Sequence, residues 1–411
     1  MEKIVIEGNK PLIGRVSVSG SKNAALPIIF ASVITSGVSV IENVPDIGDV
    51  RVALSLIESL GAVVRREKYT LYIDTLELSY AVPDRALASK IRASTYLLGA
   101  MLSRFGVFET TEFGGCNFSS RPIDMHIEAA VRFGARFESG RLVATGLRGC
   151  EINFKKVSVG ATVNAIIMSA AADGVTVIRG AAREPHILSL VEYLNSAGAS
   201  ISLSSDKIIV RPSTLGGGRV RIIGDMIEAG TFLSAALITG GSVTVCDFSP
   251  VEILPLLDTL SELGAELSLT DNSVSLISHE KSKFTKVTAN PYPAFPTDLQ
   301  PIVAPLMAAR SGGVIIDNVW RGRFGYLDTL RAFGIKSKHA DGYAVINKSK
   351  IKNAAVTAPD LRGGAACIIT ALFAKGESTV YNPEIIYRGY ENLEQKLSSL
   401  GASIKYSQKE R

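Results

Sequence analysis

LIESLGAVVRREKYTLYIDT, residues 56–75, decides the fold. An apolar helical stripe runs into Gly61, and two short alternating segments follow it. A glycine directly after such a stripe is a helix stop, because it adopts a positive φ at little steric cost. The phrase recurs as AAVRFGA (129–135), EYLNSAGA (192–199), LSELGA (260–265), LRAFGI (330–335) and LSSLGA (397–402). The glycines Gly61, Gly134, Gly198, Gly264, Gly334 and Gly401 are separated by 73, 64, 66, 70 and 67 residues. The chain is therefore six copies of one unit, each about 67 residues long.

A second mark lies 21 to 28 residues before each of these glycines. It is another glycine with a short β-branched run: GVSVIENVP (37–45), GVFETTEFGG (106–115), GVTVIRGAAREP (174–185), GSVTVCDFSP (241–250), GVIIDNVWRG (313–322) and GESTVYNPE (376–384). An apolar helix precedes each mark, for example KNAALPIIFASVIT (22–35), MIEAGTFLSAALITG (226–240) and TDLQPIVAPLMAARSG (297–312). The unit thus reads helix, strand, loop, helix, strand pair. Its first helix is apolar nearly all round and should be buried; its second is amphipathic and should be half exposed. Six units suggest two α/β domains of three. KIVIEG (3–8) and GRVSVSG (14–20) resemble a strand pair and are expected to complete the last unit. The expected domains are residues 22–223 and residues 1–21 plus 224–411, with a hinge and a cleft where the chain crosses twice.

Composition excludes several functions. The 411 residues carry 44 Lys+Arg against 39 Asp+Glu, and no basic cluster has interleaved aromatics, which argues against nucleic acid as a partner. No uninterrupted apolar run reaches the length of a membrane span, and the amino-terminal segment alternates like a strand. A cytoplasmic location follows as the expectation. Cys116, Cys150, Cys246 and Cys367 lie far apart without metal-ligand spacing, which fits free thiols in a reducing cytoplasm.

The repeat also shows which residues break its pattern. At the starts of the buried helices stand Lys22, Asn23, Arg92, Lys156, Ser158, Glu228, Asp298, Asp360 and Arg362. In the strand-to-helix loops stand Cys116, Arg121, Arg183, Glu184, Arg321, Arg323 and Arg388. Charge beside a buried apolar helix is costly unless solvated, paired or bound. Helix amino termini offer free N–H groups and a positive dipole end, and arginine forks take phosphate or carboxylate. The pattern describes a cationic site for anionic small molecules. Cys116 sits in the glycine-rich loop GGCNFSSRP (114–122) beside Arg121, a setting that lowers a thiol pKa. Cys367, in an apolar helix, fits an inert buried thiol, as do Cys150 and Cys246. Asp298 either caps its helix or accepts a proton from a substrate hydroxyl.

At this point the residues resemble a family. GSKNAALPI (20–28), KIRASTYLLGAMLSRFG (90–106), GGCNFSSRPIDMHI (114–127), KVSVGATVN (156–164), AAREP (181–185), DMIEAGTF (225–232), PAFPTDLQ (293–300), DLRGGAA (360–366) and YRGYE (387–391) are similar to the UDP-N-acetylglucosamine enolpyruvyl transferases along nearly the whole chain. The related shikimate-phosphate enzymes share the six-unit architecture but lack the cysteine loop.

The resemblance implies two inside-out α/β barrel domains with buried helices and outer sheets. It implies transfer of the enolpyruvyl group of phosphoenolpyruvate to the 3′-hydroxyl of UDP-N-acetylglucosamine, in peptidoglycan synthesis, without cofactor or metal, by a monomer or weak oligomer. Cys116 would donate a proton, form an adduct with phosphoenolpyruvate and be the alkylation target of fosfomycin. Asp298 would be the general base. Lys22, Arg121 and Arg388 would hold phosphate, with Asn23 beside them, and Arg323 and Arg362 would hold carboxylate. Arg92, Arg121, Pro122, Ile123, Asp124, Met125, Lys156, Val157, Ser158, Val159, Gly160 and Val319 would line the nucleotide-sugar site. Two runs depart from the family: Arg321-Gly322-Arg323-Phe324, where Glu-Asn-Arg-Phe is usual, and Ile385-Ile386-Tyr387, where His-Ile-Asp is usual. The departures leave room for another acceptor or a weakly active paralogue, although Cys116, Asp298, Lys22 and Arg388 all remain.

Overall fold

The computed structural model describes residues 2–109 and 122–408. These divide into two compact units, residues 20–109 with 122–223, and residues 2–19 with 224–408. The chain passes between them at Ser19–Gly20 and Ile223–Gly224.

All six repeat glycines sit at φ between 85° and 107°. The alanine after the glycine explains the phrase. The N–H of Ala62 donates to the carbonyl of Ile57 at 3.2 Å, and Ala135, Ala199 and Ala402 repeat the bond to Ala130, Leu194 and Leu397. The turn closes the helix with a six-to-one hydrogen bond, which needs a left-handed residue at the glycine.

The first helix of each unit is buried. In the unit of residues 224–408, helices Met226–Thr239, Gln300–Ala309 and Leu361–Phe373 bury almost every residue, and each packs on the other two. In the other unit, Leu97–Phe105 packs on Val159–Ala170 and on Lys22–Ala31. Burial on all sides is why these helices lack a polar stripe. The sheets lie outside them: strands bury alternate residues, such as Ile4 and Ile6, and expose others, such as Val63 and Ile13. Each unit thus has the inside-out arrangement, helices within and sheets without, that the sequence led us to expect.

Strand pairing corrects one expectation. Lys3–Glu7 does join the last unit, antiparallel to Glu377–Tyr381 and Ser403–Ser407. Ile13–Ser17 does not. It runs parallel to Ser242–Cys246, with Ile13 opposite Ser242 and Ser17 opposite Cys246. A short parallel edge strand stands before most of the buried helices, and of these only Ile13–Ser17 was read as a strand in the sequence. Within a unit it makes a β-helix-β crossover: Glu151–Asn153 with Thr176–Arg179, Thr285–Ala289 with Gly313–Asp317, and Ala355–Thr357 with Glu377–Tyr381. At the two crossings the partners are exchanged. Ile13–Ser17 precedes the Lys22–Ala31 helix but pairs with the strand after the Met226–Thr239 helix. Arg219–Arg221 precedes the Met226–Thr239 helix but pairs with Val38–Glu42, after the Lys22–Ala31 helix. The exchange gives each unit its own complete sheets although the chain leaves and returns.

Among the described residues no helix is long and apolar enough to cross a membrane, and no cluster of ligating side chains is placed to hold a metal ion.

Candidate active site

In the second unit the site forms around Asp298. A short turn, Thr297–Leu299, starts the buried Gln300–Ala309 helix and presents the Asp298 carboxylate at its entrance. Oδ1 accepts from Arg323 Nη1 at 2.7 Å, and Oδ2 accepts from Arg362 Nη2 at 3.1 Å and Nε at 3.3 Å. The arginine side chains are 6% and 2% exposed, whereas the carboxylate between them is 27% exposed. Asp298 therefore does not cap its helix. It joins two buried cations and keeps an open side.

The surrounding shell fixes both guanidinium groups. Arg323 Nη1 also donates to Thr297 Oγ1 at 3.2 Å, and that hydroxyl donates to Asp317 Oδ2 at 2.6 Å. Asp317 Oδ1 takes the N–H groups of Val319 and Trp320, which turns the loop after the Gly313–Asp317 strand. The Arg323 carbonyl accepts from Gln300 Nε2, and Gln300 Oε1 accepts from the Tyr326 hydroxyl at 2.6 Å. Arg362 lies over the Tyr390 ring, 5.4 Å from its centroid, and the Tyr390 and Thr231 hydroxyls are 2.9 Å apart. Arg362 follows Asp360, whose carboxylate accepts the N–H groups of Arg362 and Gly363 and caps the Leu361–Phe373 helix. Asp360 is a cap, not a ligand candidate. Arg388 is half-buried just past the short Glu384–Tyr387 helix.

Glu228, also at a helix start, has a structural role. Its carboxylate accepts from the Ser19 N–H and from Lys396 Nζ, both at 2.7 Å. Burial raises its pKa, and Lys396 opposes that shift. The two departures from the family pattern face elsewhere. Arg321 pairs with exposed Asp341 at 2.8 Å, and the Tyr387 hydroxyl donates to Glu394.

The first unit carries further candidates on four helix starts. Lys22 opens the Lys22–Ala31 helix, and its ammonium lies 3.2 Å from Asp49, a buried carboxylate in the first turn of the Gly48–Glu58 helix. Asn23 follows it, half-buried. Arg92 opens the Arg92–Tyr96 turn, and desolvation lowers its pKa. Pro122, Ile123, Asp124 and Met125 lead into the Asp124–Arg132 helix. Lys156 and Val157 are exposed; Ser158 caps the Val159–Ala170 helix through the Ala161 N–H. Cys116 and Arg121 lie outside the described residues. Of the other cysteines, Cys246 and Cys367 are buried and Cys150 is half-buried, and burial raises all three thiol pKa values.

Sequence reasoning named Asp298, Arg323 and Arg362 but missed what holds them: Thr297, Asp317, Gln300, Tyr326, Thr231 and Tyr390. Thr297, Gln300, Thr231 and Tyr390 lie inside motifs already singled out, PAFPTDLQ, DMIEAGTF and YRGYE. They carried no charge to break the pattern. Asp49 and Asn164 were missed for a different reason: a lone polar residue in a helix shows its importance only through a distant partner.

Residues 6–397 match the EPSP synthase (3-phosphoshikimate 1-carboxyvinyltransferase) family. The chain is 40% identical to the UDP-N-acetylglucosamine 1-carboxyvinyltransferase of Wolbachia sp. subsp. Brugia malayi, over 99% of this chain and 100% of that one. It is equally 40% identical to UDP-N-acetylglucosamine 1-carboxyvinyltransferase 3 of Caldanaerobacter subterraneus subsp. tengcongensis, over 98% and 99%. Among solved structures it superposes on the enolpyruvyl transferase NikO from Streptomyces tendae with a TM-score of 0.88 at 25% identity, covering 99% of both chains. EPSP synthase from Acinetobacter baumannii shares the fold, with a TM-score of 0.74 at 18% identity.

Proposed function

The chain belongs to the EPSP synthase family of carboxyvinyltransferases, and we propose that it moves the enolpyruvyl group of phosphoenolpyruvate to the 3′-hydroxyl of UDP-N-acetylglucosamine, releasing phosphate. The observation that carries this reading is the Asp298 carboxylate set between two buried arginines, in a chain 40% identical over its length to enzymes named for that reaction. Two guanidinium groups around one carboxylate leave net positive charge, which suits phosphate and carboxylate.

In this proposal the acceptor oxygen attacks C2 of phosphoenolpyruvate while its proton passes to Asp298. The Cys116 thiol gives a proton to C3. The tetrahedral intermediate then loses a C3 proton and phosphate, which restores the double bond and returns the protons. Addition needs an acid, a base and cations around a crowded anion. Phosphate falls to Lys22, Arg121 and Arg388, and the substrate carboxylate to Arg323 and Arg362. A carboxylate bonded to two guanidinium groups is a poor base. The arriving anion competes for those same arginines, so Asp298 gains basicity only once substrate is bound. The nucleotide sugar falls to Arg92, residues 121–125, residues 156–160 and Val319. Peptidoglycan precursor synthesis in the cytoplasm is the setting this reaction implies, and fosfomycin should alkylate Cys116.

Phosphate release from phosphoenolpyruvate, measured with UDP-N-acetylglucosamine present and absent, tests the reading. Release is expected only with the nucleotide sugar. Release that depends instead on another hydroxyl acceptor refutes the assignment. In the same preparations, Cys116→Ser should lose the phosphoenolpyruvate adduct seen by mass spectrometry.

A further inference from the structure

His126 and Asn164 form a buried pair beneath the helix starts assigned above to the nucleotide sugar. Asn164 is fully buried in the Val159–Ala170 helix. Its Oδ1 accepts from the Gly99 N–H at 2.9 Å, and its Nδ2 donates to the Thr95 carbonyl at 2.9 Å. Those backbone partners have fixed polarity, so the amide has one orientation. Nδ2 also lies 2.7 Å from His126 Nδ1, and toward that atom the amide has only an N–H to offer. Nδ1 must therefore accept, which leaves the ring proton on Nε2.

The Cε1–Nε2 edge of the ring lies against Gly160. A Cβ on Gly160 would stand 2.9 Å from Cε1 and 3.0 Å from Nε2, closer than such contacts allow. The second residue of the helix is thus seated on the imidazole edge, one residue from Val159 and two from the Ser158 cap. Asn164 ties the same helix to Thr95 and Gly99, in the elements that begin at Arg92, and His126 belongs to the helix that begins at Asp124. One amide and one imidazole register three helix starts. The charged groups that act on the ring are Arg92 and Asp124. Burial, with help from Arg92, pushes the His126 pKa down to about 4, in keeping with an imidazole that stays neutral.

We propose that His126 is a positioning residue for the nucleotide-sugar site: fixed by Asn164 as the Nε2–H tautomer, its ring edge sets the place of Gly160 and so aims the N–H groups of residues 159 and 160 at the diphosphate. This rests on the function proposed above. Helix amino termini bind phosphate through such N–H groups, and their worth depends on placement. Neither His126 nor Asn164 need touch the reacting atoms.

The test uses full-length His126→Asn, Asn164→Ala and Gly160→Ala. Asparagine puts Oδ1 near the place of Nδ1, so His126→Asn keeps an acceptor for Asn164 and removes only the ring edge. Its dissociation constant for UDP-N-acetylglucosamine, by calorimetry, should rise about tenfold, the scale of one lost, well-placed hydrogen bond. KM for phosphoenolpyruvate at saturating nucleotide sugar should change by less than about threefold, within the scatter of an uncoupled site. Gly160→Ala, which displaces the ring, should show the same split. The His126→Asn/Asn164→Ala double variant should lose little more than the worse single one. A folded His126→Asn that binds the nucleotide sugar like wild type overturns this role alone, as does an equal loss toward both substrates. Wild type that does not bind UDP-N-acetylglucosamine overturns the acceptor assignment and this role with it.

Discussion

Asp298→Asn should destabilise its unit and make that stability depend on anions. The substitution removes the one charge that accepts from both Arg323 and Arg362, which are 6% and 2% exposed. An asparagine oxygen still serves one guanidinium, but its NH2 group faces the other. Removing one partner of a buried ion pair costs about 3–5 kcal/mol. The lower end applies here, because Thr297 and Tyr390 still contact the two arginines. For a unit of roughly 200 residues, unfolding entropy is about 0.4 kcal/mol per degree, so a loss of about 3 kcal/mol lowers Tm by about 7 °C.

Trp320, the single tryptophan of the chain, lies in this unit, and its backbone N–H donates to Asp317 beside the site. Its fluorescence during urea unfolding therefore reports this unit rather than the other. Inorganic phosphate at a hundred times its dissociation constant should return about 2.7 kcal/mol to the variant. Wild type should gain less at equal phosphate, since there Asp298 competes for the arginines. A loss below about 1 kcal/mol, the scale of a solvated pair, would refute the reasoning. So would equal stabilisation of both proteins by phosphate.

Two further outcomes follow from other parts of the chain. His126 has its pKa lowered from 6.5 to about 4, so between those values the unfolded chain binds the proton and the folded one does not. Its contribution is complete above pH 6.5 and is lost as pH falls toward 4, a total of about 3 kcal/mol. Urea unfolding followed by circular dichroism at pH 7 and pH 4.5 should show a smaller acid loss in His126→Asn than in wild type. Gly134→Ala meets no atom within 4 Å and should cost only the left-handed strain, about 1–2 kcal/mol. Gly198→Ala also meets the Thr214 carbonyl oxygen at 2.6 Å and should cost roughly 1–3 kcal/mol more in the same assay. Equal losses would show that the two turns do not differ as described.

The sequence by itself determined the six-unit repeat, the helix stops and the buried helices. These are local properties: a glycine at positive φ and an apolar stripe wider than a helix face act through neighbours in the chain. It also marked Asp298 and Arg362, because charge at the start of an apolar helix breaks the pattern, and Arg323 in the strand-to-helix loop beside them. It did not determine strand partners. GRVSVSG alternates equally well wherever it pairs, and only the packed sheet placed Ile13–Ser17 beside Ser242–Cys246. Nor could it show that Asp298 accepts from arginines 25 and 64 residues away, or that Asn164 fixes the proton of His126. A hydrogen bond between distant residues depends on distance and polarity in the folded core, and neither is written in the order of the chain.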